Sequence, residues 1–456
     1  MTVARKFADF LTETAYADLP AQAVDHAAML IASTIASAAC GASIPSAAII
    51  RDLARERGGR PDASVWFDAG PKLPAAYAAR VNAVMSDAAA SDDSDLRNIV
   101  HCGTPLTAAS LALAERTGAN GRDVLAAIVL GYEAAGRIGE SITPGYLKKG
   151  FHGCLVAIFA SAVAEGRLLR LDTGQMAHTI ALCATSMGGL HAAANTSVSR
   201  EYHAGLATVS GIDAAMAAQR GYPGEETILE APHGFCAVYG GTDGAGIVRD
   251  LGREWDIVTD MAVKLVPGGH THHALAEAAA NAAREGNIAA DEVASITLSR
   301  PGVSALSGPR HPADLIDMAH SPAYFMAAAV ADRTFGWVHA GPEKIGDPVI
   351  HRLIDKVRVG PQPTENAAAY RQGATVTIET TDGRTVTNTV HVPKGAGCRG
   401  IDWADIDAKY RTLAPRAPLS ARQVECSIRR YSSPSRVSPR STTRERSVRA
   451  RSAWKR

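Results

Sequence analysis

The chain has 456 residues, of which 46% are hydrophobic and 20% are charged, and its 47 basic and 46 acidic side chains leave a formal net charge of +1. This composition is ordinary for globular proteins and excludes a disordered or fibrous chain. A chain of this length usually exceeds one hydrophobic core, so two domains are expected.

Helical patterns rich in alanine dominate the first 260 residues. A helix start is predicted at Thr104-Pro105, because threonine can cap free N–H groups and proline suits a first turn, and this helix should end at Gly118. The other predicted helices cover residues 21–38, 121–139, 154–168, 173–187 and 204–220. Strand patterns are nearly absent, so residues 1–263 predict an all-helical domain.

The pattern changes near Lys264. Residues 374–390 alternate strictly around Asp382-Gly383, which predicts a β-hairpin. Helices are expected over 272–285 and 321–333, a strand over 294–302, and a helix that runs into a strand over 350–360. Residues 264–395 therefore predict a smaller α+β domain. A last amphipathic helix at 401–414 is expected to return to the first domain, which residues 396–415 would complete.

Residues 421–456 are basic, rich in Ser, Arg and Pro, and without a helical or strand period. They predict a disordered tail. A nucleic-acid-binding arm is the alternative, but the tail lacks the interleaved aromatic residues on which single strands stack.

The sequence shows neither a membrane span nor a signal region, and both absences bear on the cellular location that we expect. No stretch approaches the ~18–20 apolar residues of a membrane span, and the N-terminus shows no apolar signal region. The seven cysteines are scattered without a C-x-x-C motif, which argues against structural zinc and disulfides. We therefore expect a reduced, cytoplasmic protein without a membrane partner.

Polar and ionisable residues concentrate in four stretches, at 91–105, 145–153, 197–207 and 263–279. Each could be only a solvated loop. Together they have the ingredients for removing a proton beside a carboxylate, which needs cations to hold the anion and groups to carry the proton. The candidate cations are Lys264, Arg200, Lys149, His101 and His152. The candidate proton-transfer groups are Asp93, Tyr146, His203 or a neutral lysine.

The run H-T-H-H, with His270, His272 and His273, invites a metal interpretation. No carboxylate or cysteine motif stands beside it, so no metal site is predicted.

Several separated blocks resemble the MmgE/PrpD family, in order, over roughly residues 1–415. The blocks are VNAVMSDAAASDDSD (81–95), KKGFH (148–152), REYHAGLA (200–207), EAPHGFCAVYGG (230–241), KLVPGGHTHHALAEA (264–278), SPAYFMAAAVADR (321–333) and IDWADIDAKYRTLA (401–414). The resemblance implies a mainly α fold, with a large all-helical domain and a smaller α+β lid domain. It also implies a cofactor-free homodimer that binds a small di- or tricarboxylate in the cleft between domains.

The resemblance also assigns residues. Asp93 resembles the family's loop aspartate, His101 its loop histidine, His152 the histidine of the G-F-H block and Lys264 the lysine of the lid block. Arg200 stands where some members have lysine, and Tyr324 falls in the family's serine–tyrosine helix. The chain departs from the family at Gly269, where some decarboxylases and dehydratases have histidine, although His270 is adjacent.

The loop after Asp93 reads S-D-L-R-N-I-V-H, unlike the D-D-T pattern common among dehydratases. Together these departures favour an epimerase that removes and returns a proton alpha to a carboxylate of an iminodisuccinate-like substrate. The expected catalytic residues are Tyr146, Lys149, Lys264 and Asp93. The expected substrate-binding residues are His101, His152, Arg200, His203, His270 and Tyr324. The alternative is a dehydratase of the 2-methylcitrate type, or a related decarboxylase, that uses the same cleft.

Overall fold

Helices account for most of the first 260 residues in the computed structural model, which describes residues 1–186, 188–196 and 198–431. They are α1 (Val3–Glu13), α2 (Ala21–Gly41), α3 (Pro45–Arg57), α4 (Ala75–Ala88), α5 (Gly103–Thr117), α6 (Gly121–Ile142), α7 (Gly145–Lys148), α8 (Cys154–Leu168), α9 (Thr173–Ala184), α10 (His191–Thr196), α11 (Ser199–Gln219) and α12 (Asp256–Thr259). The predicted helical character of this part is confirmed, and the bounds of α8 coincide with the prediction.

The start of helix α5 differs from its prediction. The helix begins at Gly103, so Thr104 lies inside the first turn and does not cap it. The carboxylate of Asp93 takes that place, because the Gly103 N–H donates to both of its oxygens at 3.0 Å. A capping group ten residues away in the chain leaves no local sequence signal.

The helical part also contains a short strand that the sequence did not predict. Strand β1 (Asp93–Asp95) pairs antiparallel with β2 (Met261–Val263), with Asp93 opposite Val263. Three residues rich in aspartate have low strand propensity, so only the tertiary pairing with β2 stabilises this strand.

The region after Lys264 contains both helices and strands. Its helices are α13 (His273–Glu285), α14 (Leu315–Ala319), α15 (Pro322–Ala331), α16 (Pro342–Ile345) and α17 (Pro348–Ile354). Its strands are β3 (Val293–Ser299), β4 (Val357–Val359), β5 (Ala374–Thr380) and β6 (Thr385–Val390). The predicted hairpin is confirmed as β5–β6, and Gly383 has the positive φ of +88° that its turn needs.

One four-stranded sheet organises this region. Its strand order is β4-β3-β5-β6, with β3 and β4 parallel and the other neighbours antiparallel. Helices α13 and α15 pack beside it and share one apolar core with the inner sheet residues, including Phe325, Ile296 and Val376.

Helix α18 (Trp403–Leu413) returns to helix α2, as the sequence predicts. The buried Lys409 fixes this contact, because its Nζ donates to Ser33 Oγ of α2 at 2.7 Å and to the Ser91 carbonyl. Residues 1–418 form one compact unit. The boundaries at 263/264 and 395/396 stay a prediction.

Helix α2 contradicts the prediction that no stretch has the length and apolarity of a membrane span. It is the one helix among the described residues with the length and apolarity of a membrane span. In the fold, 67% of its apolar window is buried, and it packs against α4 and α18. The apolar residues of α2 are therefore those of a core helix.

The basic C-terminal segment belongs to a separate unit. Its first residues form helix α19 (Ala421–Tyr431), although the sequence analysis predicts disorder from residue 421. The missed signal is a capping box, in which Ser420 Oγ accepts from the Gln423 N–H and the Gln423 side chain accepts from the Ser420 N–H. The predicted tail from residue 432 onward lies outside the described residues.

Candidate active site

The short ladder between β1 and β2 brings two distant charged residues together. Asp92 immediately precedes β1 and Lys264 immediately follows β2, and the Lys264 N–H donates to the Asp92 carbonyl at 3.2 Å. Their side chains meet as well, with Lys264 Nζ 2.6 Å from Asp92 Oδ1. Both residues are buried, and Lys264 is only 1% exposed.

A histidine completes this group on the other carboxylate oxygen. His101 Nδ1 lies 2.8 Å from Asp92 Oδ2 and 2.5 Å from the Asp93 carbonyl. Both neighbours are acceptors, so Nδ1 carries the proton in either charge state of His101, and Nε2 is the atom left to exchange a proton. His101 is therefore held by its hydrogen bond to the Asp93 carbonyl, with the charge of the Asp92 carboxylate beside the same nitrogen.

Asp92 and Asp93 differ in pKa although they are adjacent. Burial alone would raise the pKa of Asp92, but Lys264, then His101 and Arg200, hold this pKa well below its ordinary value. Burial and the charge of Asp92 raise the pKa of Asp93 to about 6, against hydrogen bonds from Tyr132 and Gly103. Adjacent carboxyl groups with separated pKa values are common in acid–base sites.

Beside this group lies a narrow pocket with an empty volume of about 270 Å³ that includes its open mouth. Its wall is formed by Asp87, His101, Thr104, His152, Cys154, Ala157, Arg200 and Ala204. Lys264 and Asp92 lie behind His101 and are not part of this wall. The Thr104 hydroxyl is buried without a hydrogen-bond partner among the described residues, so a bound ligand would supply one.

Three histidines follow one another along the pocket. The ring centroids of His101 and His152 are 6.3 Å apart, and those of His152 and His203 are 5.7 Å apart. Burial, followed by the charges of His101 and Arg200, holds the pKa of His152 well below its ordinary value. Burial also lowers the pKa of His203. The last two imidazoles are therefore neutral without a ligand.

Arg200 supplies the permanent positive charge of the pocket. It is buried, and its Nε donates to Asp87 Oδ2 at 2.9 Å while Nη2 donates to the Asp87 carbonyl at 2.6 Å. A guanidinium has five N–H donors, so the two bonds to Asp87 leave others for an anion.

A group that is suited to metals adjoins the pocket, with His152 and Cys154 in the pocket wall. Ligand atoms of His152, Cys154 and His203 all lie within 4.8 Å of one another. The sequence predicts no metal site, and the residues of the H-T-H-H run are not part of this group. Cys154 could not be predicted as a ligand from the sequence, because a single cysteine at a helix start shows no metal-binding spacing.

His270 lies close to Lys264 but away from the pocket wall. It is buried against His273, with ring centroids 4.6 Å apart. Burial, with the charges of Lys264 and His101, lowers the pKa of His270 to about 3, so its imidazole is neutral.

Like Lys264, Asp93, His203 and His270, three further predicted site residues are absent from the pocket wall, and their polar atoms bond to backbone carbonyls. Tyr146 is buried and donates its hydroxyl to the Asn98 carbonyl, and burial raises its pKa above the ordinary value. Lys149 is exposed and donates to the Val238 carbonyl. Tyr324 is buried beside Phe335 and donates to the His339 carbonyl at 2.8 Å.

The sequence analysis missed some residues that the structure brings to the site. The most important is Asp92, which lies in a run with Asp93 and Asp95 where the sequence cannot show which carboxylate meets the lysine. Asp87 and Thr104 lie in helices, where they look like ordinary polar positions.

The fold and the pocket are those of an enzyme with a mainly helical body and a small mixed sheet. Family models match both parts of the chain, the MmgE/PrpD N-terminal domain over residues 5–247 and the MmgE/PrpD C-terminal domain over residues 267–430. The chain belongs to the MmgE/PrpD family. The second match includes most of helix α19, whereas the sequence analysis ends the resemblance near residue 415.

Similar proteins carry lyase names. The cis-aconitate decarboxylase-like protein oryM of Aspergillus oryzae is 26% identical over 90% of both chains. Human cis-aconitate decarboxylase is 26% identical over 77% of this chain and 75% of its own. The cis-aconitate decarboxylase of Aspergillus terreus is 27% identical over 87% of this chain and 86% of its own.

Proposed function

We propose that the protein is a cofactor-independent decarboxylase of a small unsaturated tricarboxylate, with cis-aconitate as the first substrate to test. The observation that carries the proposal is the Lys264–Asp92–His101 group, with its oriented imidazole at the edge of a pocket that holds Arg200. The names of the similar proteins supply the substrate class.

The reaction balances without an added cofactor. The bond between a carboxylate and its carbon breaks, and its electron pair forms a new carbon–carbon double bond with the neighbouring carbon. The original double bond gives its pair to the far carbon, which takes up a proton, and CO₂ leaves. The protein must hold the remaining carboxylates and deliver one proton.

The pocket offers residues for both tasks. Arg200 binds a carboxylate through the donors that Asp87 does not use, and Thr104 adds a hydroxyl at the same wall. His101 delivers the proton from Nε2, because its Nδ1 is held by Asp92 and the Asp93 carbonyl. Lys264 keeps Asp92 ionised, so a negatively charged carboxylate lies beside the imidazole of His101.

The epimerase favoured by the sequence has less support. It relies on Tyr146, Lys149 and Lys264 as proton carriers, and none of these three lines the pocket wall. The polar atoms of Tyr146 and Lys149 are bonded to backbone carbonyls. A neutral, buried tyrosine with a raised pKa is a poor base. The similar proteins carry the names of decarboxylases and not of isomerases.

The test is incubation of the purified full-length protein with cis-aconitate in heavy water, with CO₂ release and the carbon product followed together. The proposal predicts one CO₂ and one deuterium incorporated per product. Deuterium exchange without CO₂ from a dicarboxylate would support the epimerase. An alkene formed from 2-methylcitrate, with no CO₂ from any tricarboxylate, would support the dehydratase.

Two lysine variants make a matched pair in this assay. Lys264→Met should abolish most turnover, because Asp92 loses the cation that keeps it ionised. Lys149→Met should keep turnover, since Lys149 is on the surface. The reverse result would contradict the proposal and support the epimerase assignment.

A further inference from the structure

We propose that His152, Cys154 and His203 form a binding site for a transition-metal ion of the Zn²⁺ class beside the pocket, with His152 and Cys154 in the pocket wall. The site is a property of the folded chain and does not depend on the proposed reaction. Its ligand set, two imidazoles and one thiol, is the nitrogen and sulfur chemistry that Zn²⁺ and Co²⁺ prefer.

The first support is the distance between the ligand atoms. They lie within 4.8 Å of one another, whereas the ligands of a tetrahedral zinc ion with bonds of about 2.0–2.3 Å lie roughly 3.5 Å apart. Side-chain rotations that bring the atoms about 1 Å closer would place them at three corners of a tetrahedron around the metal ion. The fourth corner would face the pocket, where water or an anion can bind.

The second support is an unpaired nitrogen. His203 Nδ1 is buried and has no hydrogen-bond partner among the described residues. A buried polar atom of this kind usually has a water or an ion as its partner. The Cys154 thiol donates to the Gly188 carbonyl at 3.4 Å and lies 3.8 Å from that of His152, and because a thiol is a weak donor these bonds fix it only weakly.

The third support is the backbone that covers the group. Gly189 has a φ of +148°, and a Cβ atom built on it would lie 2.2 Å from Cys154 Sγ and 3.4 Å from His203 Nδ1. Only glycine therefore leaves the thiol and the imidazole facing each other. The His152 N–H donates to the Gly189 carbonyl at 3.0 Å, which ties the covering segment to the first ligand.

Charge near the site does not prevent binding. The closest permanent cation is Arg200, and its charge is balanced by Asp87 at 2.9 Å. As the sulfur–metal bond forms, the Cys154 S–H bond breaks and its proton passes to water. The bound group then has one thiolate for a divalent ion, and a bound anion can balance the remaining charge.

The test is a titration of the metal-free full-length protein with Co²⁺, followed by competition with Zn²⁺. The exposed Cys398 and Cys426 are first replaced by serine, to remove surface thiols. The proposal predicts one Co²⁺ per chain, with a thiolate-to-cobalt charge-transfer band that Zn²⁺ abolishes. Cys154→Ala should remove the band, and His203→Ala should weaken affinity at least tenfold.

Cys183→Ala is the matched control, because Cys183 is an equally buried thiol outside the group, and it should leave the titration unchanged. A band that survives Cys154→Ala, or no band at stoichiometric Co²⁺, would overturn the proposal. If Cys154→Ala does not fold, alkylation of the thiols of the wild type, with and without Zn²⁺, tests the site instead. Zn²⁺ should then protect Cys154 and leave Cys398 reactive, and equal reactivity of Cys154 with and without Zn²⁺ would contradict the site.

Discussion

Two buried groups of carboxylates flank strand β1 and have opposite ionisation. At one end, Asp92 contacts the two basic side chains Lys264 and His101, and its pKa is held well below the ordinary value. At the other end, burial raises the pKa of Asp95, and burial with the charges of Asp95 and Asp260 raises that of Asp256 well above the ordinary value.

The second group has too few cations for its carboxylates. Arg97 lies 2.8 Å from Asp256, 2.9 Å from Asp260 and 2.9 Å from Glu140, and Arg371 also contacts Asp260. Two cations therefore serve these three acids and the neighbouring Asp95. Among the residues that the structure describes, the Oδ2 atoms of Asp95 and Asp256 have no hydrogen-bond donor when both carboxylates are ionised. A proton on Asp256 that is donated to Asp95 supplies the missing bond.

The comparison shows that the balance of nearby charges decides what a buried aspartate does. Both groups are removed from water, which alone would favour the neutral acid. Two basic side chains on one carboxylate hold its pKa low, beside a proton-transfer histidine. Two cations among four carboxylates leave a proton-sharing group that holds the backbone together. We therefore expect the first group to control turnover and the second to control only stability.

The largest effect is expected for His101→Gln. Glutamine keeps a polar side chain but cannot deliver a proton, so kcat should fall on the order of 10³-fold while the fold remains. Steady-state kinetics with circular dichroism as the control for folding measures this. A variant that is folded and retains more than a tenth of wild-type turnover would remove His101 from proton transfer.

Lys264→Met should lower the free energy of unfolding by about 3 kcal/mol, because it leaves Asp92 buried without its closest cation. Urea unfolding measures the change. The double variant Asp92→Asn/Lys264→Met should recover part of the loss, since it removes both partners of the pair. Additive losses in the double variant would show that the two side chains are not coupled.

The helices and the hairpin could be predicted from sequence because their signals are local. The period of α8 and the Asp382-Gly383 turn of β5–β6 each lie within one segment. The β1–β2 ladder has no such signal, since Asp93–Asp95 is stabilised only by its partner strand. Helix α19 shows a missed local signal, because the Ser420–Gln423 capping box was present in the sequence.

The site could be predicted in outline and not in detail. Similarity to the family identified the Asp93 loop, the His101 and His152 positions and Lys264. It could not show that Asp92, and not Asp93, meets the lysine, because a shift of one residue along a strand reverses the side-chain direction. It also could not show that Tyr146 and Tyr324 donate their hydroxyl groups to backbone carbonyls.

A smaller effect is expected for Lys409→Met, behind the first group. Burial, with the charge of Lys264, lowers the pKa of Lys409 to about 7. The unfolded chain binds more protons between pH 7 and the ordinary lysine pKa of about 10.4, so this residue makes stability rise with pH in that window. At pH 9 the free energy of unfolding of the variant should be about 1–2 kcal/mol lower than that of the wild type, because the variant lacks the two hydrogen bonds of the amine.

At pH 6 the deficit of Lys409→Met should shrink, because the wild type must then bury a charged amine. Unfolding curves at both pH values measure the difference. The exposed Lys394→Met is the matched control and should show no such pH dependence. An equal deficit at pH 6 and pH 9 would show that Lys409 does not change its charge in this range.

The smallest effect is expected for Asp256→Asn in the second group. Its free energy of unfolding near pH 7 should change by less than about 1 kcal/mol, because the amide replaces a largely protonated acid. The folded protein binds the extra proton above the unfolded pKa of about 3.9, so wild-type stability falls as pH rises through the raised pKa of Asp256. The stability of the variant should not decrease with pH in this way. Thermal unfolding from pH 5 to pH 9 measures it, and parallel curves would contradict a protonated Asp256.

The comparison is tested most directly by the rate of CO₂ release from cis-aconitate by Asp92→Asn and Asp256→Asn, measured side by side with the wild type. The account predicts that Asp92→Asn loses on the order of 10³-fold in kcat while Asp256→Asn stays within about twofold. Equal rates for the two variants, or a folded Asp92→Asn with the turnover of the wild type, would contradict it.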